Sequence, residues 1–398
     1  MKVLVTDNAH LYKTPDGKYY TPSIYNYEFF QRYLNVFDEV RFVSKTKYVN
    51  SIDESKFLLV SRKGLEIYEL PWYQGLKGLI KNIFKLIFRY RKVFDGCDCY
   101  IFRVAQLESY LAYLIGNSGG KPYALEIVND PAASTDVKGI FKWINVYTLK
   151  FMVKRAHGVS YVTKNYLQKK YPRIPKSKVK SLDDSFFEGS YSSIELPERY
   201  ILKPKRYTKR KNSFEVIHVA NTINGFSKGH KTLIEVIRLV SDKGYNVTAC
   251  CIGDGDSVSE FQQYAQSLGI SERIKFTGRI HSNEVLMHRL AQSDLFLFPS
   301  YYEGLPRSVI EAQAAGLPCL STPVGGIPEL LPEKYLFKPD DSPGFADKLI
   351  ELINNPEELE QMSHYNIKIA KNYSSEKLSM ERNAFYKKLQ RLAKNNEF

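Results

Sequence analysis

Cysteine is scarce in this sequence, and the spacing of the cysteines does not suggest pairing. The 398 residues include five cysteines, with no Cys-x-x-Cys pair and no histidines at zinc-binding spacing. Small secreted domains use even numbers of cysteines to cross-link a small core, and structural zinc sites need clustered ligands. The composition therefore argues against both classes and favours a reducing compartment.

Long apolar runs are also missing. The run that opens MKVLVTDNAH stops at Asp7, too early for a signal peptide, and no window has the roughly 18 uncharged apolar residues of a membrane span. We therefore expect a cytosolic protein, or one held at the inner surface of the cell membrane. Because Val3 to His10 contains no glycine, the Gly-x-Gly-x-x-Gly fingerprint of a dinucleotide-binding oxidoreductase is absent after the first strand.

Acidic residues are outnumbered, but in only one half of the chain. Up to Tyr207 there are 34 Lys and Arg against 20 Asp and Glu, whereas from Thr208 onward each group has 23 members. The first half thus carries the whole formal charge of +14. An excess of this kind is compatible with a membrane surface or nucleic acid as partner.

Short apolar segments alternate with helical patterns along the chain, which predicts an α/β fold with parallel sheets. The predicted strands are Lys2 to Thr6, Val40 to Ser44, Tyr100 to Val104, Tyr123 to Val128, Val159 to Val162, Phe214 to Ala220, Val247 to Ile252, Ile274 to Thr277, Leu295 to Phe298 and Cys319 to Ser321. A long loop is expected from Asp7 to Ser23. The length predicts two domains, and the polar, basic segment from Glu188 to Asn212 suits a linker. We place the first domain at 1–200, the second at 201–375, and a C-terminal helix at 376–398 that packs back on the first.

Two carboxylates mark the segment from Asp294 to Leu331. Glu303 stands in a loop of turn-forming residues after a short apolar strand, and Glu311 stands one turn into the helix that Pro306 introduces. A carboxylate on the loop can bind sugar hydroxyls, and one on the helix can accept both hydroxyls of a ribose. The alternative is that Glu303 caps a helix and Glu311 is a surface residue.

Glycines flank both carboxylates. Gly304 removes the side chain that would keep an anion from the N–H groups at the helix start, and Gly325 and Gly326 form a second glycine turn before another helix start. Unpaired N–H groups at helix N-termini attract negative charge. The segment therefore predicts a site for a diphosphate.

The string DLFLFPSYYEGLPRSVIEAQAAGLPCLSTPVGGIPELL strongly resembles the donor-site signature of retaining glycosyltransferases of family 4. The resemblance is close from about Phe214 to Leu352. It implies the GT-B fold, in which two Rossmann-like domains face each other across a cleft. It also implies that Glu303 contacts the donor sugar and Glu311 the ribose, with Gly304, Leu305 and Pro306 beside them.

The resemblance assigns further donor-site residues. Lys228 matches a family lysine that binds the diphosphate and steadies the leaving group. Asn221 stands where the family has an arginine, so the second positive charge is missing or comes from Lys231 or elsewhere. Relatives use the backbone at the positions of Gly278, Arg279 and Ile280 to recognise the nucleobase.

Asp130 is a candidate for the acceptor side. Asn129-Asp130-Pro131 follows a predicted strand, where ligands gather in open α/β sheets, so Asp130 is placed to face the acceptor hydroxyl. Many relatives have a histidine near this point, and the alternative is an ordinary turn residue.

These features together predict a glycosyltransferase that moves a hexose-type sugar from a UDP- or GDP-linked donor to a saccharide or lipid-linked acceptor, in polysaccharide or glycolipid biosynthesis. We expect retention at the anomeric carbon, no metal and no separate cofactor, because Lys228 and helix N-termini can stabilise the departing diphosphate. Asp254 and Asp256 are a weak Asp-x-Asp signal for the metal alternative. The rival functions are an epimerase or phosphorylase on the same fold and a basic nucleic-acid-binding protein. Nucleic-acid binding would leave the segment around Glu303 without a function, so we expect no nucleic acid as partner.

A basic amphipathic segment, Leu70 to Val93, carries Lys77, Lys81, Lys85 and Arg89 at intervals of four residues beside apolar positions. This pattern is typical of a helix at a membrane interface. The segment predicts docking on an anionic membrane, and a core-packed helix with a solvated basic face is the alternative.

Overall fold

The structure is a computed structural model that describes residues 1–54, 56–116, 119–133, 139–173, 186–207 and 213–395. The end of the predicted linker, residues 208–212, lies outside the described residues. Within the described part of the chain, no helix has the length and apolar character needed to cross a membrane.

The first domain is built on a sheet whose main strands are all parallel, in the order β5-β3-β1-β6-β7-β8-β9. Two short strands extend this sheet: β2 pairs antiparallel with the end of β1, and β4 pairs antiparallel with β2. The strands are β1 (Lys2–Lys13), β2 (Tyr19–Thr21), β3 (Glu39–Tyr48), β4 (Leu58–Leu59), β5 (Leu65–Pro71), β6 (Cys99–Val104), β7 (Tyr123–Ile127), β8 (Gly158–Tyr161) and β9 (Phe187–Ser190).

The helices of the first domain cover both faces of this sheet. They are α1 (Tyr27–Leu34), α2 (Gly75–Lys92), α3 (Leu107–Ile115), α4 (Gly139–Arg155) and α5 (Tyr166–Lys170). Two neighbouring residues of β6 show which helices lie on which face, because successive side chains of a strand point to opposite faces of the sheet. Phe102 packs against Tyr113 of α3, whereas Arg103 bonds to Glu126 and Tyr33 on the α1 side. Helices α2 and α4 both contact α3, so these three helices share one face.

The second domain has a five-stranded parallel sheet in the order β12-β11-β10-β13-β14. Its strands are β10 (Phe214–Thr222), β11 (Val247–Asp254), β12 (Ile274–Phe276), β13 (Leu295–Phe298) and β14 (Cys319–Ser321). The helices that follow are α6 (His230–Asp242), α7 (Val258–Ser267), α8 (Asn283–Gln292), α9 (Arg307–Ala314), α10 (Ser342–Ile353), α11 (Pro356–Ala370) and α12 (Ser375–Asn395).

The C-terminal helix α12 lies against the first sheet, on the face that also carries α1. The Tyr386 hydroxyl donates to the Glu126 carboxylate at 2.5 Å, and the Phe385 ring packs on Phe187 of β9 at 4.8 Å. Glu126 also pairs with Arg103, so this buried carboxylate receives both a charge and hydroxyl donors. Buried charges that are fully paired in this way fix how a helix docks.

The parallel sheets confirm the predicted α/β class with two Rossmann-like domains. The predicted loop from Asp7 to Ser23 is wrong, because β1 continues to Lys13 and β2 pairs back on it. A register shift between Thr6 and His10 lets β1 keep its pairing with β3 past the polar residues Asp7 and Asn8. Polar residues at this point suggested a turn, but the strand continues through them with an irregularity in its pairing.

Candidate functional site

The loop between β13 and α9 carries Glu303, and the second turn of α9 carries Glu311. Pro306 is the N-cap residue of α9, and the helix ends at Ala314, shortly before Gly316 with its left-handed φ of 71°. Both features follow the usual preference for proline at a helix start and glycine after its end. Loop and helix thus hold the two carboxylates near one helix N-terminus.

Lys228 reaches Glu303 from the loop between β10 and α6. The next residue, Gly229, has φ of 75°, and a Cβ there would lie 2.0 Å from the Pro299 carbonyl oxygen. Only glycine permits this approach of the two loops. It brings the Lys228 ammonium within 2.5 Å of the Glu303 carboxylate, which also accepts from the Ser300 hydroxyl at 2.8 Å.

These residues border a cavity of about 250 Å³ at the carboxyl ends of β10 and β13. This is where ligands bind in open parallel sheets. The cavity is lined by Val219, Ala220, Asn221, Thr222, Lys228, Phe298, Glu303, Pro306, Arg307, Ser308 and Glu311. Two cations and two carboxylates therefore face one space.

Glu311 has the environment of a ligand-binding carboxylate. Burial raises the pKa of its carboxyl, and the nearby Arg307 guanidinium opposes part of that shift. Nothing in the described part of the chain donates a hydrogen bond to this carboxylate. The residue is half-buried and lines the cavity, so ligand hydroxyls can reach its oxygens and donate to them.

Arg307 is the site residue that sequence reasoning missed. It lines the cavity, whereas Lys231, the other candidate for a second positive charge, lies 3.9 Å from Glu235 on its own helix α6. The signal was present in the sequence, since Arg307 stands four residues before Glu311, and residues four apart share a helix face. The second positive charge for a diphosphate, which the family places at the position of Asn221, thus has a candidate in Arg307 on α9.

The glycine loops lie at the contact between the domains. A Cβ on Gly304 would come within 2.6 Å of the Val128 carbonyl oxygen of the first domain. A Cβ on Gly325 would lie 2.2 Å from the Glu303 carbonyl oxygen, and one on Gly326 would lie 2.8 Å from the Thr163 side chain. Leu305 is buried beside them. The close packing of these loops against each other and against the first domain therefore requires glycine at these positions. This requirement is separate from the predicted space for an anion.

Glu329 adds a second link between the domains. Its carboxylate accepts from the backbone N–H groups of Lys164, Asn165 and Tyr166 at 2.6, 3.0 and 2.8 Å. These are the orphan donors at the start of α5, and a carboxylate is a favourable cap there. The two domains thus meet beside the cavity.

The segment Gly278 to Ile280 lies next to the cavity and outside its lining. Gly278, with φ of 75°, accepts from the Gly253 N–H at 3.0 Å, and Ile280 packs against the hydrophobic core. The Arg279 guanidinium donates to the Asn221 carbonyl oxygen at 3.2 Å, which ties this segment to the cavity wall. Its predicted role in recognising the nucleobase stays a prediction.

Asp130 is fully buried in a loop after β7. Its carboxylate accepts from the hydroxyls of Tyr166 and Tyr171 and from Lys170, all at 2.5 Å, and from the Ala132 N–H. Burial opposes ionisation, but these donors outweigh it and lower the pKa of the carboxyl. All its contacts lie within the first domain and outside the cavity lining. The geometry is that of an anchor for the loop, and the predicted contact with an acceptor hydroxyl stays a prediction.

Comparison with known proteins gives the family. The family model for glycosyl transferases group 1 matches residues 200–369, which span the sheet, the cavity and both carboxylates. The second domain belongs to this family. The chain is a glycosyltransferase with a GT-B fold.

Individual relatives extend the similarity to the whole chain. The Staphylococcus aureus protein CapJ is 27% identical over 377 residues, covering 90% of this chain and 88% of CapJ. Further curated relatives match over 109 to 148 residues, and there the glycosyltransferase spans only 18 to 33% of the relative's length.

Solved structures share the fold across both domains. A sucrose-phosphate synthase from Thermosynechococcus elongatus superposes with a TM-score of 0.70 at 13% identity, covering 98% of this chain and 99% of that one. HepE from Anabaena, in complex with UDP and glucose, superposes with a TM-score of 0.63 at 17% identity, covering 99% of each chain. The GT-B prediction is therefore confirmed.

Proposed function

We propose that the glycosyltransferase takes its sugar, a hexose, from a UDP- or GDP-linked donor and transfers it to an acceptor hydroxyl. The observation that carries this proposal is the cavity that joins Lys228, Arg307, Glu303 and Glu311 at the start of α9. Its cations suit a diphosphate, and its carboxylates suit hydroxyls of a sugar and a ribose. The similarity to HepE, which binds UDP and glucose, supports the same donor class.

In the proposed reaction the bond between the anomeric carbon and the β-phosphate oxygen breaks, and a bond to the acceptor oxygen forms. The nucleoside diphosphate leaves with the bonding electrons and takes up the acceptor's proton, directly or through water. Lys228, Arg307 and the N–H groups at the start of α9 would stabilise the charge that builds on the leaving group. Preorganised donors of this kind are worth on the order of 3 kcal/mol each in the transition state. We therefore propose a reaction that needs no metal.

Retention at the anomeric carbon is part of the proposal, on the resemblance of residues 294–331 to retaining enzymes. The acceptor is proposed to be a saccharide or a lipid-linked saccharide, in the synthesis of a cell-surface polysaccharide or glycolipid. A lipid-linked acceptor would bring the enzyme to the inner surface of the cell membrane, in keeping with the basic segment 70–93.

The test is a donor screen followed by product analysis. Calorimetric titration with UDP, GDP and their hexose conjugates should show micromolar binding for one nucleotide, and incubation with acceptor oligosaccharides should give an α-linked product from an α-linked donor by NMR. Activity should survive extended chelation with EDTA. Isomerised nucleotide sugar or sugar phosphate as sole product would replace the proposal by an epimerase or a phosphorylase, and a strict requirement for manganese would turn attention to Asp254 and Asp256.

A further inference from the structure

Apolar side chains are concentrated on one outer face of the first domain. This face is formed by α2, α3 and α4, and α3 contacts both of its neighbours. Of the 20 large apolar side chains that are exposed in the described residues, ten belong to these three helices. They are Ile80, Phe84 and Phe88 on α2, Leu107 and Leu114 on α3, and Ile140, Phe141, Trp143, Ile144 and Tyr147 on α4. We call this surface the α2–α4 face.

The exposed side chains on α2 form one stripe, because residues four apart lie on the same side of a helix. Ile80, Phe84 and Phe88 are 63, 85 and 59% exposed, so the domain core does not use them. Phe84 and Phe88 also line an open groove of about 430 Å³ beside Pro71. Surfaces of this kind on a folded domain mark a partner.

Aromatic side chains give α4 a matching surface. Trp143 is 66% exposed, and its ring stacks on Tyr147 at 5.4 Å between centroids. Trp and Tyr combine an apolar body with a polar edge, and they are enriched where hydrocarbon meets lipid headgroups. The aromatic pair therefore suits a bilayer interface.

Positive charge lies on the same helices. α2 contains six Lys and Arg and α4 contains four, and neither helix has an acidic residue. These ten charges account for most of the net +14 of the chain. No ion pair joins Lys77, Lys81 or Lys85 to the part of the chain that the structure describes. These three lysines are thus available to an anionic partner.

We propose that the α2–α4 face docks on an anionic lipid bilayer, with the apolar side chains at the acyl boundary and the basic ones on the headgroups. A second copy of the chain is a poor occupant, since a symmetric contact would set the basic residues of α2 and α4 against those of the other copy. Nucleic acid would leave the exposed stripe of α2 unmatched. The inference does not depend on the proposed donor chemistry, because none of these side chains lines the cavity.

Vesicle sedimentation tests the charged half of the proposal. The wild type should bind vesicles of phosphatidylcholine with phosphatidylglycerol, should leave them in high salt, and should not bind phosphatidylcholine alone. Replacing Lys77, Lys81 and Lys85 together by Gln should weaken binding on the order of 100-fold, since each basic residue at an anionic leaflet contributes roughly fivefold. The matched control is the triple Gln variant of Lys387, Lys388 and Arg391, which are exposed on α12 on the other face of the sheet.

The apolar half has its own variant and signal. Phe84→Ser with Trp143→Ser should lower binding at least tenfold even at low salt, and both side chains are exposed, so the domain should stay folded. Trp143 emission should shift to the blue on anionic vesicles, and the shift should disappear in Trp143→Phe. Nucleotide titration on every variant separates this result from a failure of the donor site.

Several outcomes would overturn the proposal. Equal binding by wild type and the α2 variant would do so, as would equal binding to neutral vesicles. Ultracentrifugation that shows a dimer abolished by Phe84→Ser would assign the face to a second copy, and binding to nucleic acid without binding to vesicles would assign it to that polymer.

Discussion

Replacing Glu311 by Gln should weaken nucleotide binding while it stabilises the empty protein. The carboxylate lies in the cavity with no hydrogen-bond donor in the described part of the chain, and burial raises its pKa. If it accepts the two ribose hydroxyls, each charge-assisted bond contributes about 1.5 to 3 kcal/mol. Gln keeps one acceptor oxygen, so the loss of one of the two bonds should raise the Kd for the nucleoside diphosphate about 10- to 150-fold.

The stability effect has the opposite sign. A carboxyl whose pKa is raised in the folded protein destabilises the fold when it ionises, so the ligand-free wild type should lose stability as the pH rises from the ordinary value of 4.5 through the raised value. Glu311→Gln cannot ionise and should not lose this contribution. Its melting temperature without ligand should therefore exceed that of the wild type at pH 8 and approach it at pH 4.

Two measurements on the same samples decide the matter. Calorimetric titration gives the Kd for UDP and GDP at pH 8, and thermal unfolding gives the melting temperature with and without nucleotide. Glu260→Gln, at an exposed position on α7, is the matched control and should change neither. Wild-type nucleotide affinity in Glu311→Gln would show that the ribose binds elsewhere, whatever the melting temperature does.

The remaining predictions concern the charges around the cavity and Asp130. Lys228→Ala should reduce both turnover and nucleoside diphosphate affinity. Glu303→Gln should reduce turnover alone, and its nucleoside diphosphate affinity should equal or exceed that of the wild type because Lys228 is released from its ion pair. Identical changes in the two variants would refute the separate roles. Arg307→Ala should weaken nucleoside diphosphate affinity about 10- to 100-fold. The control is Arg238→Ala, which removes an arginine that pairs with Asp242 on α6 and should leave this affinity unchanged. Equal affinities for the two variants would exclude Arg307 as the second cation. Asp130→Asn should lower the free energy of unfolding by about 2 to 3 kcal/mol, most visibly at neutral pH because the wild-type carboxyl has a lowered pKa. Turnover per folded molecule should persist. Lost turnover at unchanged stability would restore the acceptor role.

The sequence predicts local features of this fold well. Short apolar strands such as Leu295–Phe298 and Cys319–Ser321 lie between turn-forming residues, and both are strands with those bounds. Such segments are fully buried in parallel sheets, so composition alone identifies them. The same holds for the helix that carries Glu311, since its start and stop signals are local.

Features that depend on distant pairing could not be predicted. Buried Lys45 pairs with buried Glu108 at 2.7 Å, and the extension of β1 depends on a bulged ladder with β3. The sequence predicts that the C-terminal helix packs on the first domain, but it does not predict the bond between Tyr386 and Glu126, 260 residues apart, that helps to hold it there. No local pattern encodes such pairs, because the cost of burying each partner is offset only by the other.

The ion pair between Lys228 and Glu303 suggests how donor binding would prepare the site. Without a donor the two charges neutralise each other, and neither is available to a substrate. A diphosphate at the start of α9 would compete for Lys228 and leave the Glu303 carboxylate free to accept sugar hydroxyls, with the Ser300 hydroxyl still holding it in place. One binding event would thus place the cation on the leaving group and the carboxylate on the sugar. A free sugar brings no negative charge to release Lys228, so it should bind far more weakly than the same sugar attached to its nucleotide.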